Sequence, residues 1–197
     1  MAIPLVLASS SPYRRRLLQQ LGIPFETASP DIDETPLANE TAIQLARRLA
    51  ESKATALAAT YPDAWIIGSD QVASLEDGTL LNKPENHETA IRQLRQSSGQ
   101  SVIFLTGLCL LDAASGTRQI TCEPFTAHFR ELTVEEIERY LKHEQPYDCA
   151  GSFKMEGLGI TLFDRLEGRD PNSLIGLPLI ALNEMLRNWG RNPLMEA

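Results

Sequence analysis

The sequence predicts an α/β fold with a mixed β-sheet and flanking helices, and three observations predict it. Short apolar runs alternate with stretches of helical periodicity along the whole chain. Cap and turn residues punctuate the junctions between them. Two long strand-like stretches, Val102 to Asp112 and Gln119 to Arg130, are joined by the Ala113 to Thr117 turn and read as a pair, which makes strand directions mixed.

Ile3 to Ala8 reads as a buried first strand. Ser11 is a good N-cap and Pro12 suits the first helical position. Leu17, Leu18 and Leu21 share one helical face, and Gly22 can end the helix. Phe25 to Ala28 reads as a short strand, followed by the acidic loop Asp31-Ile32-Asp33-Glu34-Thr35-Pro36. Thr41 starts an amphipathic helix reaching about Ala59, with Ile43, Leu45, Leu49 and Leu57 as its apolar residues. Trp65 to Asp70 reads as a buried strand ending in a carboxylate. Asp77-Gly78 is a hairpin signal, and Asn86 can cap a helix to about Gln96. Thr133 and Glu136 form a capping box for a helix to about His143. A glycine-rich stretch from Ala150 to Gly159 follows, then a strand from Ile160 to Phe163. Leu179 to Leu186 is the apolar part of a last helix, and the polar tail is expected to fray.

The length of 197 residues suits a single domain over 1–197, with room for two lobes. A hydrophobic fraction of 43% is ample for a core. The net charge of −8 argues against non-specific binding to nucleic acid. Apolar runs are too short and interrupted to span a membrane, and no basic n-region precedes an apolar core, so neither a membrane anchor nor a signal peptide is expected. Cys109, Cys122 and Cys149 are odd in number and lack C-x-x-C spacing, which fits reduced thiols in a cytoplasm.

The strand-to-helix junction Leu7-Ala8-Ser9-Ser10-Ser11-Pro12-Tyr13-Arg14-Arg15 puts hydroxyls and backbone N–H groups at a helix N-terminus beside arginines. That combination favours an anion, most simply a phosphate, although Ser-Pro at a helix start is also ordinary capping chemistry. Asp70 at a strand end could hold a divalent metal or take a proton from water, or could simply be a turn residue. Asp31, Asp33 and Glu34 supply oxygen ligands of the kind magnesium or manganese takes, or form a solvated loop. Lys53 and Lys83 could neutralise phosphate oxygens or lie on the surface. No P-loop, nucleophile elbow or H-E-x-x-H motif is present, and Gly157-Leu158-Gly159 falls short of the dinucleotide pattern.

Taken in order, Leu7 to Arg15, Asp33-Glu34-Thr35, Lys53-Ala54, Gly68-Ser69-Asp70-Gln71-Val72, Asn82-Lys83-Pro84 and Gly176-Leu177-Pro178-Leu179 resemble the Maf family of nucleotide pyrophosphatases. The resemblance implies an α/β fold like that of inosine-triphosphate pyrophosphatases, with a mixed sheet and a deep cleft between two lobes. It implies hydrolysis of a nucleoside triphosphate between the α and β phosphates, with a divalent cation, Mg²⁺ or Mn²⁺. Carried over by position, Ser9, Arg14, Lys53 and Lys83 would bind substrate, and Glu34 and Asp70 would hold the metal. Asp70 is also the expected general base, or else purely a metal ligand. Family members are often dimers, which leaves a homodimer open.

Within the family, Tyr13, Gln71 and Glu156 depart from the branch acting on thymidine and uridine triphosphates. They resemble the branch acting on 7-methylguanosine triphosphate, in which the first of these positions is often tryptophan. The substitutions have a physical sense. N7-methylation makes the guanine ring cationic, and an aromatic face such as Tyr13 attracts it. A carboxylate such as Glu156 can accept both N1–H and N2–H₂. Two other readings are carried forward: a pyrimidine nucleotide pyrophosphatase, and a nucleotide-binding regulator of septum formation without important catalysis.

Overall fold

The computed structural model describes residues 3–196. Its six strands are β1 (Leu5–Ala8), β2 (Glu26–Ala28), β3 (Trp65–Leu75), β4 (Ser101–Asp112), β5 (Arg118–Phe129) and β6 (Phe163–Gly168). The helices are α1 (Pro12–Gln19), α2 (Ala42–Ala56), α3 (His87–Ser97), α4 (Val134–Glu144), α5 (Pro171–Ile175) and α6 (Leu179–Asn188). The strands form one sheet in the order β2-β1-β3-β4-β5-β6. β1 pairs in parallel with both β2 and β3, whereas β5 and β6 are antiparallel. The mixed sheet with flanking helices is the architecture the sequence predicts.

The chain forms two compact units. The first comprises the chain through Asp70, Thr106–Glu123, and the chain from Asp170 onward. The second comprises Gln71–Leu105 and Pro124–Arg169.

In the first unit β1 and the adjoining parts of β3 and β4 are buried on both faces, so they read as continuous apolar runs. Leu5, Leu7, Ile67 and Leu108 face one cluster, together with Leu18 of α1 and Leu182 of α6. The alternate residues Val6, Ala8, Ile66 and Cys109 face the other, which includes Ala50 and Ala54 of α2. Full burial of each large aliphatic side chain contributes about 1.5–3 kcal/mol, so this two-sided packing is what holds the strands in register. In the second unit Phe153 packs edge-on against Phe104, Phe129 and Phe163, with ring centroids 5.1–6.2 Å apart.

Capping chemistry sets the helix starts. Ser11 accepts from the Arg14 N–H, Asn86 accepts from the Thr89 N–H, and Thr41 and Thr133 close reciprocal capping boxes with Gln44 and Glu136. The Asp77-Gly78 turn forms as expected, with Asp77 accepting from the Thr79 N–H.

Several expectations are corrected. Ile160 to Phe163 is not a strand: Leu158–Leu162 is a 3-10 turn, and β6 begins at Phe163. Short apolar runs carry no periodicity that separates these outcomes. Asp70 does not end its strand, since β3 continues to Leu75. Ile43 lies on the exposed side of α2. The polar tail is anchored: buried Arg191 donates to the Ile3 carbonyl at 3.0 Å and pairs with Glu196 at 3.0 Å. Helix α5 is an element the sequence reading missed. Its N-cap Asp170 is fully buried and accepts from the Asn172 N–H at 2.9 Å and the Ile180 N–H at 2.7 Å. One carboxylate therefore serves the starts of both α5 and α6.

Candidate active site

Helix α2 presses unusually close to the sheet. A Cβ on Gly68 of β3 would lie 2.0 Å from the Ala50 carbonyl oxygen, and one on Gly107 of β4 would lie 2.1 Å from that of Ala46. Only glycine admits this approach. It brings Lys53, on the same helix, directly over β3.

Lys53 is buried, and its Nζ lies 2.6 Å from Asp70 Oδ1 and 2.7 Å from Glu34 Oε1. Asp70 comes from the strand and is buried; Glu34 comes from the acidic loop, and its side chain is 55% exposed. Desolvation offsets much of the Coulombic attraction in such a pair, so its main consequence is orientation rather than stability. Arg14 belongs to the same electrostatic group. Burial pushes its guanidinium pKa down, and the charges of Asp70 and Glu34 oppose that fall. Two cations and two anions are thus gathered at one place, balanced in formal charge.

The arginine is aimed by the backbone. Arg14 Nε donates to the Gly176 carbonyl at 2.8 Å. The buried Ser69 hydroxyl lies 2.9 Å from both that carbonyl and the Gly107 carbonyl. Gly176 has φ +118, and a Cβ there would stand 3.3 Å from Arg14 Nε, so glycine answers two demands at once. Ser9 is buried at the end of β1 and accepts from the Ser11 N–H at 3.1 Å. Tyr13 is half-buried on the first turn of α1.

The acidic loop is clasped to α2. Arg48 donates to Glu40 at 2.6 and 2.9 Å and to the Thr35 carbonyl at 3.0 Å. The bonds from Arg48, and then one from the Leu37 N–H, hold the Glu40 carboxyl down to about 2. Asp33 accepts from the Thr35 N–H at 2.9 Å, which turns the chain just after Glu34.

Glu34, Lys53 and Asp70 are therefore brought together in the first unit, with Arg14 in their field and Ser9 at the foot of α1. Lys83, Gln71 and Glu156 belong to the second unit. Lys83 and Glu156 are exposed and Gln71 is half-buried on β3. Glu156 sits in a braced loop. The Lys154 N–H donates to the Tyr140 hydroxyl at 2.9 Å, Lys154 Nζ donates to the Glu144 carbonyl at 3.0 Å, and the Leu158 N–H donates to Glu144 Oε1 at 2.5 Å.

The fit of a divalent cation can be judged from these donors. Among the described residues no group of three or more His, Cys, Asp or Glu side chains converges as a metal cage. Glu34 and Asp70 do converge on a single cationic nitrogen. Two carboxylates completed by substrate phosphates and water are a usual donor set for magnesium, so the residues fit such an ion.

A family model described as Maf-like protein matches residues 4–189. The chain belongs to the Maf family. A relative from Pseudomonas aeruginosa, named 7-methyl-GTP pyrophosphatase, is 60% identical over 186 residues, covering 94% of this chain and 96% of that protein. The resemblance carried by the six motifs is borne out. The sequence reading of this Maf chain missed Gly68, Gly107 and Arg48 as supports of the site. Glycine inside the apolar run Trp65 to Asp70 was the available signal, since it commonly marks close backbone approach.

Proposed function

We propose that this chain is a nucleoside triphosphate pyrophosphatase that hydrolyses 7-methyl-GTP to 7-methyl-GMP and pyrophosphate. The observation that carries the reading is the full-length 60% identity to the Pseudomonas aeruginosa 7-methyl-GTP pyrophosphatase. The clustering of Glu34, Lys53 and Asp70 supports the reaction class.

In this reading the triphosphate meets the N-terminal end of α1. Arg14, held through Nε, offers its terminal nitrogens as a planar fork for phosphate oxygens. Lys53 contributes a point charge that the two carboxylates keep in place. Glu34 and Asp70 would hold the divalent cation, which when bound activates water and neutralises charge on the phosphates. Asp70 Oδ1 stays tied to Lys53 at 2.6 Å, so the other carboxylate oxygen is the one suited to take a proton from the attacking water. Ser9 and Lys83 add contacts to phosphate oxygens. Tyr13 offers an aromatic face to the cationic base, and Glu156 accepts from its N1–H and N2–H₂. Gln71 completes the specificity set.

The setting proposed is a reducing cytoplasm. Among the described residues all three cysteines are free and no helix is long and apolar enough to cross a membrane.

The test is pyrophosphate release from a panel of 7-methylguanosine, guanosine, thymidine and uridine triphosphates with magnesium or manganese. The expected result is a clear excess for 7-methyl-GTP over GTP, reduced about tenfold in Glu156→Gln. A preference for thymidine or uridine triphosphate would overturn the base assignment, and no release from any of them would overturn the reaction.

A further inference from the structure

One buried amide in the second unit joins two loops that carry expected substrate contacts. Gln93, on the inner face of α3, is 7% exposed. Its Nε2 donates to the Asn82 carbonyl at 2.9 Å, and its Oε1 accepts from the Ser152 hydroxyl at 2.5 Å. Asn82 directly precedes Lys83, and Ser152 opens the loop that carries Glu156. We propose that Gln93 is a positioning residue, a clamp that holds the Lys83 and Glu156 segments in one arrangement and so sets how tightly substrate binds. The proposal rests on the reading of Lys83 as a phosphate contact and Glu156 as a base contact.

The chemistry of the clamp is directional. The Asn82 carbonyl can only accept, so the amide nitrogen must face it, and the amide oxygen is left for Ser152. Ser152 is fully buried and has φ +61, a left-handed backbone that a residue with a Cβ keeps only when its surroundings hold it. The bond to Gln93 is one hold. The others are the Ser152 N–H to the Cys149 carbonyl at 3.1 Å, and the next residue, Phe153, in the aromatic cluster. These other holds reach back to the loop's own turn and to the core. Gln93 bonds both the loop, at Ser152, and the segment of Lys83, at Asn82. Separate ties join the Glu85 N–H to the Tyr147 carbonyl at 3.0 Å and His87 Nδ1 to the Tyr147 hydroxyl at 2.9 Å, but they serve the turn before Ser152.

Gln93→Glu tests this with little change of shape. A carboxylate has no proton for the Asn82 carbonyl, so at pH 8 the clamp opens on that side. KM for 7-methyl-GTP should rise about tenfold with kcat changed much less, the size expected when one buried polar partner is lost. As pH falls toward 5 the carboxyl takes up a proton and can donate again, and the KM ratio of variant to wild type should narrow. Gln93→Leu cannot titrate and should show the raised KM at every pH. Ser152→Gly removes the hydroxyl while relieving the left-handed strain, so it should keep the fold and also raise KM.

An unchanged KM in Gln93→Glu and Ser152→Gly, with only a lower melting temperature, would overturn the clamp in favour of a purely structural amide. The same narrowing in Gln93→Leu would overturn it too. Lys83→Ala and Glu156→Ala are measured alongside. If they raise KM while Gln93→Glu does not, the clamp is wrong and the loop roles stand. If neither raises KM, the loop roles have failed and the clamp falls with them.

Discussion

Lys53 and Lys83 have the same expected task, neutralising phosphate, yet the fold holds them in opposite ways. Lys53 is buried, with its ammonium against Asp70 and Glu34 at 2.6 and 2.7 Å. Its helix reaches the sheet because Gly68 and Gly107 leave room for backbone. Lys83 is exposed, on a segment whose preceding carbonyl is gripped by Gln93. A charge out of solvent interacts strongly and with little screening, but it needs counter-charges and tight packing to be tolerated. An exposed charge is screened and cheap to keep, and its position depends on the loop below it. The two lysines are therefore held by different physics, direct pairing for Lys53 in the first unit and loop bracing for Lys83 in the second.

The largest expected effect is on the paired side. Asp70→Asn removes both the proposed base and one of the two negative charges that face Lys53. Turnover at saturating metal should fall by about 100-fold or more, measured as pyrophosphate release. Near wild-type turnover would show that the buried pair is structural only, and the contrast between the lysines would lose its meaning.

The next effect is on packing. Gly68→Ala places a methyl where the Ala50 carbonyl stands, so α2 must move away from β3. A loss of about 1–3 kcal/mol in denaturant unfolding is expected, with a fall in activity because Lys53 moves with its helix. Unchanged stability would mean that the close approach of α2 is not what sets the position of Lys53.

The smallest effect sharpens the role of the loop bearing Glu34. Glu40 is held down to about 2, chiefly by Arg48 and then by the Leu37 N–H, against an ordinary value of 4.5. A depressed carboxyl stabilises the fold above its unfolded value, and that contribution is lost as pH falls from about 4.5 toward 2. Arg48→Gln should therefore lower the unfolding midpoint at pH 7 and flatten its decline across that acid window. A decline as steep as in the wild type would assign the acid sensitivity to other carboxyls, such as Glu136, also held near 2 by Thr133 and Arg130.

Much of this was legible in the chain. The caps at Ser11, Thr41, Asn86 and Thr133 are local chemistry, decided by a side chain and an N–H within three residues, and all four form. The charged residues of the first unit were legible because the family motifs mark them individually. Their mutual distances were not, because Glu34, Lys53 and Asp70 come from a loop, a helix and a strand. The strand misplaced at Ile160 and the missed helix α5 share another cause. Each is short, and short segments take their conformation from what they pack against.

By itself the sequence determined the α/β class, the order of the long elements and the residue types able to hold a phosphate, since these follow from periodicity, capping and charge. Only the tertiary structure decided that Lys53 bridges Asp70 and Glu34, that Asp170 serves two helix starts, and that Gln93 joins two distant loops. Each of those depends on a hydrogen bond or ion pair between residues at least ten positions apart, and such contacts exist only once burial has brought their elements together.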